Sequence, residues 1–323
     1  TPAAACEALQ IDHDARDFSA ALAARRPDLV IHTSGPFQGQ SYHVAEAAIA
    51  AGSHYIDLAD GRAFVAGIGA LDAFARSRGI LVTSGASTLP AVSSAVIDRL
   101  AGGFEGIERV EISIAPGQAV PRGKATLESI LSYCGRPFAE WKHGRWKKVF
   151  GWQGLRRIHY ADLGWRCAAR CDVPDLELFP ARYSILDSVR FDASLELGAE
   201  HFGLWTLAWL TRMKLVRDPV TLAGALLRMA RWLDQFGSDV GGMRVMVTGR
   251  RRGGKAGEST WHLTARNGDG PHIPCIPAIV LARKLSRGES FEPGARPCQG
   301  MMTLEEFSDA TRDLAITWRI VQS

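Results

Sequence analysis

Residues 28–62 read Asp-Leu-Val-Ile-His-Thr-Ser-Gly-Pro-Phe, continue through Gln-Gly-Gln into an alanine-rich run, and close on His-Tyr-Ile-Asp-Leu-Ala-Asp-Gly-Arg. This is the pattern of one βαβ unit. Leu29, Val30 and Ile31 form a short apolar run suited to a strand buried on both faces, and Gly35-Pro36 ends it. Val44, Ala45, Ala47, Ala48, Ile49 and Ala51 give the next segment an apolar helical side, with Gly52 as its stop and Tyr55-Ile56 opening a second strand. Parallel strands joined by a crossover helix bring Ser34-Gly35-Pro36 and the stretch from Asp57 to Asp60 to one carboxyl edge, where open α/β sheets bind ligands.

Working outward, strand starts recur near residues 8, 28, 53 and 79, with helical stretches at 17–26, 40–51, 64–78 and 90–100. This repeat of about 25 residues is half of a Rossmann-like, doubly wound parallel α/β sheet. A dinucleotide-binding sheet begins with a strand, a Gly-x-Gly-x-x-Gly turn and a helix whose N-terminus holds the pyrophosphate. No such turn precedes Gly52. The sheet therefore reads as N-terminally incomplete, and about 40 to 60 further residues are expected upstream.

After Gly103 the pattern changes. Residues 109–114 alternate apolar and polar side chains, and residues 189–197, 243–248 and 260–265 do the same, as antiparallel strands with one solvated face do. Helices are expected at 199–216 and 218–236, the second capped by Asp218 with Pro219 in its first turn. Residues 278–285 and a final helix, opened by the capping box Thr303-Leu304-Glu305-Glu306, follow. Residues 1–104 are thus read as a partial NAD(P)-binding domain. Residues 105–275 are read as an α+β substrate or dimerisation domain with a mainly antiparallel sheet.

Ser34-Gly35-Pro36-Phe37, the alanine-rich helix ending at Gly52, and Tyr55-Ile56-Asp57-Leu58 resemble, in order and spacing, the pattern of the saccharopine dehydrogenase-like family of NAD(P)-dependent oxidoreductases. The likeness continues more weakly through residues 84–87 and 294–298. Relatives place Gly-Glu after the aspartate, whereas this chain has Ala59-Asp60-Gly61-Arg62, which leaves the substrate open. The resemblance implies that residues 276–323 return as helices to the nucleotide domain. It also implies NAD or NADP as cofactor and hydride transfer to or from a C–N bond of an amino-acid-derived substrate. Relatives that share Gly-Pro-Phe imply an alternative, a trans-acting enoyl reductase on a lipid or polyketide chain. A third reading, from another class, is a non-catalytic binding or assembly module with a degenerate nucleotide site.

Composition narrows the classes. At 323 residues, 46% apolar and with a net charge of +4, the chain is an ordinary globular protein of about two domains, without the concentrated basic charge that nucleic-acid binding needs. Cys6, Cys134, Cys167, Cys171, Cys275 and Cys298 lack paired zinc spacing and read as reduced thiols, so no metal is expected and a cytoplasmic location is. The apolar run near Trp205 is too short for a membrane span of ~20 residues. Its tryptophans and leucines cover more than one helix face, as in a homodimer contact, a pocket wall, a plain core or, as a further alternative, a peripheral membrane contact.

Small residues at strand ends let a nicotinamide or adenine lie close to the backbone. The cofactor candidates are Thr33, Ser34, Gly35, Pro36, Phe37, Asp57, Ser84 and Gly85, with Asp12 and Asp14 at the adenine edge or as caps of the next helix. For a small-molecule substrate, Asp60 and Arg62 stand at a strand end. Arg62 could clamp a carboxylate or pair with Asp60. Lys124 and His272, in loops of the second domain, could reach the cleft or lie on the surface. The basic stretch 250–255 could clamp a phosphate or simply be solvated.

Overall fold

The computed structural model describes residues 6–185 and 187–323. Helix α1 (Phe18–Arg25) leads to strand β1 (Leu29–His32), α2 (His43–Ala51), β2 (His54–Asp57), α3 (Arg62–Gly67), α4 (Asp72–Ser77), β3 (Leu81–Ser84) and α5 (Ser93–Ala101). The strands pair in parallel as β1-β2-β3, so the expected βαβ unit is present. Gly52 ends α2 at φ 77° and returns its N–H to Ala48, as a C-terminal glycine should. Three expectations fail here. Residues 8–12 form no strand, because no described strand pairs with them, and Leu9 and Ile11 are exposed. Strand β1 is not buried on both faces: it has one described neighbour, and Ile31 is exposed. The helix expected over 64–78 is broken by a 3₁₀ turn at Ile68–Leu71, where Gly67 and Gly69 weaken the helix.

The chain then builds a seven-stranded sheet and a small hairpin. Its elements are β4 (Phe104–Ala115), α6 (Lys124–Tyr133), β5 (Pro137–Trp141), β6 (Trp146–Phe150), β7 (Arg156–Tyr160), β8 (Gly164–Arg170), α7 (Asp175–Arg182) and β9 (Ser188–Ser194). They continue with α8 (Gly198–Arg212), α9 (Ala223–Leu233), β10 (Gly241–Arg251) and β11 (Ala256–Ala265). The chain ends with α10 (Ile276–Ser286), β12 (Gly294–Pro297), α11 (Leu304–Ala310) and β13 (Ile316–Gln322). The large sheet runs β13-β11-β10-β4-β9-β8-β7, antiparallel except where β4 meets β9. The basic stretch 250–255 is the tip of the β10-β11 hairpin. Residues 276–323 are not only helices: β12 extends the parallel sheet beside β3, and β13 edges the large sheet. Thr303 and Glu306 form the expected capping box, each side chain accepting from the other's backbone N–H.

Burial explains the layering. One continuous core holds α5 against β4, β10 and β11, with Trp152, Phe179, Trp261 and Phe307 among its fully buried side chains. Within the large sheet, the fully buried Asp192 accepts from Arg156 at 2.7 Å and from Arg190 at 2.8 Å, while Arg156 also donates to Glu111 at 2.7 Å. Removing one member of such a group strands buried charge. Asp192→Ala should lose about 3 to 5 kcal/mol of folding free energy in urea titration at neutral pH, and Asp192→Asn, which keeps an acceptor, should lose less.

Candidate functional site

The carboxyl edge of the parallel sheet is organised by Asp57. Its Oδ1 accepts from the Gly85 N–H at 2.8 Å, the Ser84 hydroxyl at 2.9 Å and the Ala59 N–H at 3.0 Å, which ties the turns after β2 and β3 together. Burial pushes its pKa up to about 6, against the opposing pull of these donors. Gly85 sits at φ 79°, where an added Cβ would meet Pro90 Cδ at 2.6 Å, so only glycine fits. After β1, Gln40 holds the turn by donating to the carbonyls of Ser34 at 2.9 Å and Pro36 at 2.8 Å, across a cis Gly35-Pro36 bond. Phe37 packs inward against His32 and Phe64.

The cofactor candidates therefore divide. Thr33, Ser34 and Gly35 are exposed and Pro36 is half-buried, at the carboxyl end of β1. Phe37, Asp57, Ser84 and Gly85 are buried, and their role is to hold the turns rather than to touch a ligand. Asp12 and Asp14 lie in a turn, with Asp12 accepting from the Asp14 N–H at 3.0 Å, and they are not preceded by a strand. Asp14 also lies beside His13 and His43, whose ring nitrogens approach each other to 3.3 Å. His43 is already satisfied by Ser41 at 2.9 Å and the His13 carbonyl at 3.0 Å, so a hydrogen-bonded cluster accounts for this group.

Asp60 and Arg62 do not pair with each other. Asp60 accepts from Ser129 of α6 at 2.7 Å and from Gln38 at 3.1 Å. Arg62 donates to Glu177 at 2.6 Å, to Asp172 at 3.0 Å and to the Ala139 carbonyl at 2.7 Å. With its donors engaged by two carboxylates, Arg62 is a clamp between the parallel sheet and α7, not a free carboxylate receptor. Burial raises the Asp172 pKa, and Arg62 opposes the rise. Lys124 is exposed and pairs with Glu128 at 3.1 Å, and His272 is exposed near Asp269. Neither lines the cleft, although their neighbours Gly123, Thr126, Pro271 and Ile273 do.

That cleft is a cavity of about 650 Å³, which no sequence motif marks. It begins at Thr88, directly beyond the turn after β3, and runs between α6 (Leu127, Ile130), α8 (Leu204, Leu207) and the large sheet (Met243, Leu263). Helix α6 thus presents Ser129 to Asp60 on one side and apolar side chains to the cavity on another. One end is polar. There Gln118 donates to Glu200 at 3.0 Å and Arg122 to Asp234 at 2.8 Å, so these groups satisfy one another.

A four-stranded parallel sheet with crossover helices, its carboxyl edge facing a largely apolar cavity under a second sheet, is a Rossmann-type α/β architecture. The chain has the saccharopine dehydrogenase fold. It superposes on apo saccharopine dehydrogenase (L-Glu forming) from Saccharomyces cerevisiae with a TM-score of 0.62 at 12% identity, covering 97% of this chain and 89% of that one. An amine dehydrogenase from Mycobacterium smegmatis matches at 13% identity over 55% of this chain and 61% of its own, with a TM-score of 0.29. No protein-family model and no curated protein sequence matches the chain.

The raised pKa of Asp57 has a definite sign. The folded protein holds a proton there that the unfolded chain releases, so the stability this group contributes is full below about pH 4 and is lost as pH rises through about 6. Asp57→Asn keeps an acceptor without the ionisation. Its Tm relative to the parent should therefore rise steadily from pH 4 to pH 7 in calorimetric scans; a constant difference would show that Asp57 does not titrate in this window.

Proposed function

We infer that this chain belongs to an NAD(P)-dependent oxidoreductase that transfers hydride to or from a substrate seated in the apolar cavity. The observation that carries this reading is the meeting of that cavity with the carboxyl edge of the parallel sheet at Thr88. Thr33 and Ser34 fit a cofactor: they are exposed, and their hydroxyls have no side-chain hydrogen bond among the described residues. When bound, a nicotinamide supplies the hydride and the protein supplies binding, orientation and exclusion of water. Residues 33–35 would hold the cofactor against the strand end. Leu127, Ile130, Leu204 and Leu207 would keep the reacting end of the substrate dry.

The cavity wall also bears on the choice of substrate. At about 650 Å³ it lies within the ~300–1,000 Å³ of small-molecule sites, and its walls are aliphatic. This favours an apolar acyl or polyketide chain and reduction of its C=C bond. Oxidoreduction at a C–N bond of an amino-acid-derived substrate is the second reading, supported by the likeness to saccharopine dehydrogenase; Arg122, the cation that lines the cavity, is held by Asp234 and Glu200.

Two measurements test this. Ser34→Glu should weaken NADPH binding roughly tenfold, ~1.4 kcal/mol, in fluorescence titration, because the larger side chain takes the space in which the nicotinamide or adenine would lie against the turn. Leu204→Trp, which fills the cavity, should raise KM for a long-chain enoyl thioester roughly tenfold while leaving NADPH affinity unchanged, followed by NADPH absorbance. Turnover of an imine of an amino acid but not of the thioester would select the second reading. NADPH binding without turnover of either would select a binding module.

A further inference from the structure

Helix α9 and the 3₁₀ turns at its two ends, Pro219–Leu222 and Asp234–Phe236, carry an apolar stripe that the fold leaves uncovered. Leu222, Met229, Trp232 and Phe236 recur at helical spacing on one face, and all are exposed, Trp232 at 65% and Phe236 at 61%. Met213 and Leu215, in the connection from α8, are exposed as well. A stripe of this kind is unusual on a free surface and marks a docking site.

The surrounding charge identifies what it docks on. Lys214, Arg217, Arg228 and Arg231 are exposed, and none has a carboxylate partner among the described residues. Every acidic residue of the same segment is engaged elsewhere. Glu200 and Asp234 pair with Arg122, and Asp218 pairs with Arg136. The segment therefore presents unpaired cations beside aromatic and aliphatic side chains, the pattern of a helix lying in the interface of an anionic bilayer. A second copy of the chain related by a twofold axis would bring these cations toward their own images, which disfavours a self-contact.

The stripe is continuous with the cavity. Leu222 and Met229 belong both to the exposed face and to the cavity lining, so the cavity mouth opens beside the stripe. We propose that α9 and its preceding connection dock this protein on an anionic lipid surface, with the cavity mouth held at the membrane. Docking of this kind leaves the chain peripheral, in keeping with the absence of any described helix long and apolar enough to cross a membrane. It would deliver an apolar chain from the lipid phase to the cavity, but the docking stands or falls separately from the hydride-transfer reading because its readout is lipid partition alone.

The test is co-sedimentation of the full chain with phosphatidylcholine vesicles, with and without phosphatidylglycerol, in the absence of cofactor and substrate. The anionic vesicles should bind roughly tenfold more protein than the neutral ones, and raised salt should reduce the excess. Trp232→Glu with Phe236→Glu should abolish partition. Both side chains are more than half exposed, so circular dichroism should be unchanged. Arg228→Glu with Arg231→Glu should remove the preference for anionic lipid. No partition, partition indifferent to lipid charge, or full partition by the Trp232/Phe236 variant would overturn the proposal. So would a dimer, seen by light scattering, that fails to bind vesicles and that Trp232→Glu dissolves.

Discussion

The site depends on a buried carboxylate. Asp57 ends β2 inside the protein, away from water, and gathers two backbone N–H groups and a hydroxyl from the turns that follow β2 and β3. A buried acceptor is stabilising only when its donors are in place, and donors of a turn are fixed only when an acceptor meets them. The two requirements satisfy each other here. Gly85 follows from the same constraint, since its N–H reaches Asp57 only in a backbone conformation whose Cβ position is taken by Pro90 and Val65.

Around this fixed edge, two polar links join the parallel sheet to the rest of the chain. Asp60, Gln38 and Ser129 form a closed triangle of hydrogen bonds, and Arg62 spans Asp172, Glu177 and the Ala139 carbonyl. Because Ser129 is on α6, the first link sets where the apolar side of that helix lies, and with it one wall of the cavity. The second uses a planar guanidinium whose several donors suit bridging of this sort. These residues shape the cavity by position while contributing no side chain to it.

The cavity is apolar along most of its wall and most polar where Gln118, Arg122, Glu196 and Glu200 line it, Arg122 there also pairing with Asp234. An aliphatic enclosure next to a strand edge excludes water, which hydride transfer requires, and it gives little to a charged substrate. The same helices that wall it turn aromatic and basic side chains outward. One segment, residues 198–236, thus contributes to the cavity lining on its inner side and to an uncovered surface on its outer side.

Local pattern carried the βαβ units, the stop at Gly52, the cap at Asp218 and the capping box at Thr303, because each depends on residues within a turn or two of one another. It also carried the motifs that resemble saccharopine dehydrogenases, and the fold agrees with them. It misread residues 8–12 as a strand, since strand formation needs a partner that alternation cannot supply. It could not tell an exposed turn residue from a buried supporting one. Ser34 and Ser84 look alike in sequence, yet one is exposed and the other is buried against Asp57. Arg62 reads in sequence as a substrate clamp or a partner of Asp60, whereas its carboxylates, Asp172 and Glu177, come from more than a hundred residues away. The cavity belongs wholly to tertiary structure, because its wall is assembled from α6, α8, α9 and the large sheet, and no stretch of chain holds enough of it to leave a local signal.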